Sequence, residues 1–200
     1  MADPVLFYFD FGSPYGYLAS KRIDALAARH GREVAWRAFL VGAAVKLTGM
    51  RSIFEQPLRG PYTVHDAERF ARLEGVTLKL PPVLPMHSLA ASRAYYWLFD
   101  RDPALAKSFA IAIFEKEWGE GLDLSSAGAV AEAAAPLGIK PEDLLAAVGD
   151  LAVKDRLREE VEAAIAKGVF GSPFFIVDGE GFWGADRLDQ VDRWLERGGW

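Results

Sequence analysis

Apolar residues run almost unbroken through Val5-Leu6-Phe7-Tyr8-Phe9, a stretch rich in strand formers, which predicts a strand covered on both faces in a parallel or mixed sheet. The chain continues through Asp10-Phe11-Gly12 to Ser13-Pro14, a capping hydroxyl followed by proline at the first helical position. Leu18, Ile23, Leu26 and Ala27 then mark one apolar helix face ending at His30-Gly31. From Glu33 to Leu40 the pattern alternates, with Val34, Trp36 and Ala38 set against Glu33, Ala35 and Arg37, until Val41-Gly42 breaks it. The opening is therefore a βαβ unit.

Between about residues 42 and 167 the apolar positions fall at helical spacing and strand signals vanish. Residues 49–61 read as a loop and 63–74 as a helix, and Pro81-Pro82-Val83-Leu84-Pro85 must be extended. Helices are predicted at 87–99, 103–118, 125–135, 141–147 and 150–167, several opened by Ser, Asp or Pro. Strand chemistry returns after Gly168: Phe174-Phe175-Ile176-Val177, an Asp178-Gly179 turn and Phe182-Trp183 predict a hairpin. Asp186 reads as the cap of a last helix with Leu188, Val191, Trp194 and Leu195 as its buried stripe, closed by Gly198-Gly199. The order is βαβ, many helices, ββα, with no internal repeat. It suggests one α/β unit made of residues 1–41 and 168–200, interrupted by an all-helical insertion over 42–167.

Composition narrows the chemistry. A chain of 200 residues, 51% hydrophobic and 26% charged, is globular and can bury about 70% of its unfolded surface. It contains no cysteine, which excludes disulfides, thiolate metal sites, Cys nucleophiles and any redox couple carried by the protein itself. Any thiol must be brought by a ligand. A net charge of −5, with Lys and Arg scattered among acids, argues against nucleic acid or an anionic membrane and for a small-molecule partner. No Lys or Arg precedes Lys21, and the longest wholly apolar run, residues 109–114, is far below the ~20 residues of a spanning helix. A cytoplasmic protein is expected.

Four motifs occur together: Phe9-Asp10-Phe11-Gly12-Ser13-Pro14-Tyr15, Trp118-Gly119-Glu120-Gly121, Gly168-Val169-Phe170-Gly171-Ser172-Pro173-Phe174 and Trp183-Gly184-Ala185-Asp186-Arg187-Leu188. In this order, over nearly the whole chain, they resemble the 2-hydroxychromene-2-carboxylate isomerases, relatives of kappa-class glutathione transferases within the thioredoxin superfamily. The resemblance implies an α/β thioredoxin-like fold with a large helical insertion, glutathione as cofactor, a small aromatic or conjugated carboxylate as substrate, and a homodimer. The implied reaction is thiolate addition, ring opening, rotation and elimination, leaving glutathione unchanged. Conjugation of glutathione to an electrophile, as in the kappa class, is the alternative enzyme reading. A non-catalytic thioredoxin-like module binding peptide is a third.

By the same resemblance Ser13 is the catalytic residue, its hydroxyl donating to the glutathione sulfur at a helix start that favours an anion. Read alone, Ser13 is an N-cap, and the two roles are compatible. Ser172 and Pro173 would present main-chain groups before a cis proline to the cysteinyl unit, although most X–Pro bonds are trans. Trp183, Gly184, Ala185 and Asp186 would receive the γ-glutamyl end, with Asp186 holding its ammonium; Ala185 stands where relatives often carry a polar residue, so one contact is missing. Lys46 would attract the substrate carboxylate, and is otherwise a solvated lysine. His87, in Pro85-Met86-His87-Ser88, replaces the Asn-Ser of many relatives and reads as a substrate donor, a proton donor or simply the start of a helix. Met50 replaces an asparagine of the kappa class.

Overall fold

The computed structural model describes residues 3–49 and 51–200. Its sheet comprises β1 (Val5–Phe9), β2 (Val34–Ala38), β3 (Phe174–Val177) and β4 (Glu180–Trp183) in the order β2-β1-β3-β4. β1 pairs parallel with β2, Phe7 opposite Trp36, and antiparallel with β3, Phe7 opposite Phe175. The sheet is therefore mixed. The hairpin from β3 to β4 turns at Asp178 and Gly179, with φ of 53° and 88°, the left-handed pair that Asp-Gly supplies at low cost. β1 is central to the core: Phe7 and Phe9, on one face of the sheet, are fully buried and meet Trp36, Phe175, Tyr95 and Phe114, while Tyr8 is buried on the opposite face.

The single helix predicted from Ser13 to His30 is two helices, α1 (Pro14–Ser20) and α2 (Ile23–Arg29). The break is local. The Ser20 hydroxyl donates to the Tyr17 carbonyl at 2.6 Å, and Lys21 and Arg22 donate their amides three residues back, tightening the chain out of α geometry. Arg22 then reaches Glu74 and Asp189.

The insertion between β2 and β3 is helical: α3 (Val41–Thr48), α4 (Arg59–Glu74), α5 (Leu89–Phe99), α6 (Pro103–Phe114), α7 (Ala127–Ala134), α8 (Pro141–Gly149) and α9 (Leu151–Ala166). Part of the expected loop over 49–61 is ordered otherwise, as a 3₁₀ turn (Ile53–Glu55) followed by an α4 that starts before Thr63. α6 runs into a π-turn (Glu115–Gly119). After β4 comes a 3₁₀ turn (Ala185–Arg187) and then α10 (Leu188–Arg197). Asp186 lies within that turn and caps nothing: Arg187 holds the cap position of α10, with no side-chain cap bond. The architecture is the βαβ and ββα pair expected of a thioredoxin-like fold, with a helical insertion between β2 and β3.

Candidate active site

The end of β1 is organised by a buried carboxylate. Asp10 Oδ1 accepts from the Gly12 amide at 2.9 Å, closing the turn, and Oδ2 accepts from the Val41 amide at 2.7 Å, fixing the start of α3. The Ser88 hydroxyl donates to the same carboxylate, and the Asp10 amide donates to Ser172 Oγ at 2.8 Å. Burial raises the Asp10 pKa, and these three donors to the carboxylate oppose the rise. One side chain thus joins the β1–α1 turn to α3 and to the segment before α5, while its main chain holds the segment before β3.

Ser13 caps α1 from an extended conformation, φ −108° and ψ 113°, with Pro14 following. Its Oγ accepts from the Gly16 amide at 3.0 Å and donates to the Ser172 carbonyl at 3.0 Å. Pro14 has no N–H and the Ser13 amide is bonded to the Asp10 carbonyl. In this first turn, the Tyr15 amide has no partner among the described residues. Gly16 allows the close approach, since a Cβ there would lie 2.9 Å from Ser172 Oγ. The Tyr15 hydroxyl donates to Asp66 at 2.5 Å; burial and that carboxylate raise its pKa. Trp118 Nε1 donates to the Phe11 carbonyl at 2.8 Å, so the π-turn braces the Ser13 turn from below.

The Ser172–Pro173 bond is cis, and the Pro173 carbonyl accepts from the Gly184 amide at 3.0 Å. Gly184 has φ 114°, which only glycine adopts readily, and a Cβ there would sit 2.4 Å from Asp186 Oδ1. Ala185 is buried, whereas the Asp186 side chain is 63% exposed and paired with Arg187 at 2.6 Å. Trp183 is 54% exposed and meets the Phe170 ring edge-on at 4.8 Å. Hydrogen bonds and chain continuity therefore bring Ser13, Ser172, Pro173, Gly184, Ala185 and Asp186 to one region, with Trp183 at its rim.

The two expected substrate residues sit differently. Lys46 is exposed on α3 and has no ion pair among the described residues; the bond from Val41 to Asp10 links its helix to the site, but no bond joins Lys46 itself to that region. His87 is exposed, its amide facing Ser125 Oγ at 3.5 Å. It rides on a segment that touches the Ser13 turn: a Cβ on Gly12 would lie 3.0 Å from the Met86 carbonyl, and Ser88 donates to Asp10. Leu84–Pro85 in the same segment is also cis. Met50 lies outside the described residues. Sequence reasoning assigned no role to Asp10, Ser88 or the Tyr15–Asp66 pair. Asp two positions before glycine at a strand end is a turn signal that could have singled out Asp10.

Residues 4–196 match the DSBA-like thioredoxin domain family. A 2-hydroxychromene-2-carboxylate isomerase of Sphingobium xenophagum is 29% identical over 197 residues, covering 98% of this chain and 99% of that protein. Glutathione S-transferase kappa 2 of Caenorhabditis elegans is 28% identical over 210 residues, covering 96% and 91%. A solved 2-hydroxychromene-2-carboxylate isomerase superposes with a TM-score of 0.87 at 28% identity, covering 96% of this chain and 94% of its own. A cytosolic disulfide reductase of Pseudomonas aeruginosa, at 19% identity and a TM-score of 0.66, shares the fold. A cysteine-free chain with these relatives, and with a serine capping the helix that follows β1, belongs to the DSBA-like thioredoxin domain family and is similar within it to the 2-hydroxychromene-2-carboxylate isomerases.

Proposed function

We propose that this protein is a glutathione-dependent isomerase of the 2-hydroxychromene-2-carboxylate type. The observation that carries the reading is the Ser13–Ser172 pair, which sets a hydroxyl, a carbonyl with a second lone pair and the unpartnered Tyr15 amide side by side. These groups suit a cysteinyl unit: the Ser172 carbonyl accepts its amide, while the Tyr15 amide and the Ser13 hydroxyl face its sulfur. The exposed Asp186 carboxylate suits an ammonium, and α1 and the turn holding Asp186 are packed together. When bound, glutathione supplies a thiolate nucleophile, chemistry that no side chain of this protein can provide.

Ser13 has one proton to give, and in the free protein Ser172 receives it. To hold a sulfur anion the hydroxyl turns from that carbonyl, still accepting from Gly16 and so keeping α1 capped. Lys46 and His87, on segments anchored at Asp10, are assigned to the substrate, a small aromatic or conjugated carboxylate whose carboxylate Lys46 attracts. The similarity to a kappa-class transferase supports a second reading, in which the tripeptide is consumed. The deciding experiment incubates the protein with glutathione and 2-hydroxychromene-2-carboxylate and counts free thiol. Isomer formation with thiol constant supports the isomerase, thiol falling one for one with substrate supports the transferase, and no binding of glutathione by calorimetry removes both.

A further inference from the structure

A cavity of about 520 Å³ lies between α9, the N-terminal part of α5 and the start of α3. Its walls are mostly apolar: Leu40 and Ala43 on one side, Leu89 on another, and Leu157, Val161 and Ile165 along α9. Arg93 on α5 also lines it. The guanidinium Nη1 donates to the Val148 carbonyl at 3.3 Å, and the buried Nε has no partner among the described residues. The two acids at this cavity, Asp155 and Glu162, are both approached by Arg158, at 3.1 Å and 3.9 Å. Lys154 adds a further cation. Arg93 is half-buried, partial burial lowers its pKa, and among the described residues it has no carboxylate partner.

A half-buried guanidinium whose buried Nε has no partner leaves one donor unsatisfied, and a carboxylate offers the charge-assisted bond that it lacks. We propose that this cavity is a binding site for an apolar monocarboxylate, with the carboxylate at Arg93 and the hydrocarbon along α9. The Val148 bond ties Arg93 to the end of α8, three residues before α9 opens at Leu151, and from Leu151 to Ile165 that helix runs about 21 Å, ample length for a medium-chain acyl tail. Leu151, at the head end, is 71% exposed and lines the same cavity. The site is separate from Ser13 but adjoins its scaffold: Leu40 precedes Val41 and Leu89 follows Ser88, the two residues that donate to Asp10 from these elements. A ligand here presses on both.

The test uses the full chain without glutathione, with sodium octanoate and octanamide as probes and amide chemical shifts as readout. Octanoate should shift residues around Arg93, Leu157 and Val161 saturably, and octanamide should bind about tenfold more weakly or less. Arg93→Gln should erase the preference for the acid. Leu151→Glu, a surface change that leaves the fold intact, should weaken octanoate severalfold by placing a like charge at the head end. Equal binding of acid and amide to the natural protein, shifts confined to residues 12–16, or no shifts at millimolar octanoate would each overturn the proposal. So would a concentration-dependent dimer by ultracentrifugation that buries Arg93. None of these outcomes depends on whether the protein uses glutathione.

Discussion

The Ser13 hydroxyl donates to the main-chain carbonyl of Ser172, 159 residues further along the chain, at 3.0 Å. The same oxygen accepts from Gly16, so one atom both caps α1 and joins it to the segment before β3. Capping and thiolate stabilisation are therefore not rival roles for this residue. They differ in what its removal does to a bound thiol.

Ser13→Ala should cost about 1 kcal/mol of fold stability through the lost cap. Glutathione should still bind, with its thiol pKa raised by about 1–2 units, the equivalent of one charge-assisted hydrogen bond of ~1.5–3 kcal/mol. Turnover near neutral pH should fall by about tenfold or more. Ultraviolet titration of bound thiolate in both proteins checks this. Superimposable curves and equal turnover would leave Ser13 a cap alone.

Asp186→Ala separates binding from folding more cleanly, because the side chain is exposed and caps no helix. Stability should change by no more than about 0.5 kcal/mol. Glutathione affinity should weaken by about 1.5–3 kcal/mol, the range for a hydrogen bond to a charged group. Isothermal calorimetry beside urea denaturation tests both halves, and unchanged affinity would remove Asp186 from the site.

For Asp10 the expectation is structural. Asp10→Ala strands the Gly12 and Val41 amides and the Ser88 hydroxyl, and each buried donor left unsatisfied costs about 1–3 kcal/mol. Asp10→Asn keeps one acceptor and should fall between the two. Denaturant midpoints should rank wild type, Asn, Ala, with faster hydrogen exchange at Val41 in both variants.

Glu117 gives a pH dependence of known sign. It is fully buried in the π-turn, Oε1 lacks a partner, and burial pushes its pKa up to about 8, with Asp123 adding to the shift and the Leu124 amide opposing it. In the unfolded chain the carboxyl ionises near its ordinary 4.5, so between these values the folded state holds more protons and stability falls as pH rises. Below the window the effect is absent, and above it the loss is complete. Glu117→Gln should remove this slope, gaining on the natural protein by at most ~1.4 kcal/mol per pH unit across the window. Parallel wild-type and Gln curves between pH 4.5 and 8 would show that Glu117 stays ionised.

Much of this was legible from residue pattern. The run Val5–Phe9 and the Asp178-Gly179 turn fixed β1 and the β3–β4 hairpin, because strand burial and left-handed turns each leave a short-range signature. The break between α1 and α2 was not, since Leu18, Ile23, Leu26 and Ala27 keep one face buried across it and only the Ser20 bond to Tyr17 betrays it. Asp186 looked like a cap because an acid before an amphipathic helix usually is one; here an intervening 3₁₀ turn separates it from α10. The meeting of Asp10 with Val41 and Ser88 depends on contacts 31 or more residues apart, which local pattern does not encode.

The strand order β2-β1-β3-β4 sets early and late parts of the chain against each other at the centre of the sheet. A chain emerging from the ribosome can pair β1 with β2 at once, yet it has no acceptor for Ser13, no partner for the Asp10 amide and no third strand until the helical insertion has been made. Closing so long a loop carries an entropic cost before any contact rewards it, and such topologies fold slowly. During synthesis the exposed edge of β1 is consequently the surface most open to wrong pairing, and truncation anywhere before β3 yields a chain that cannot assemble this site.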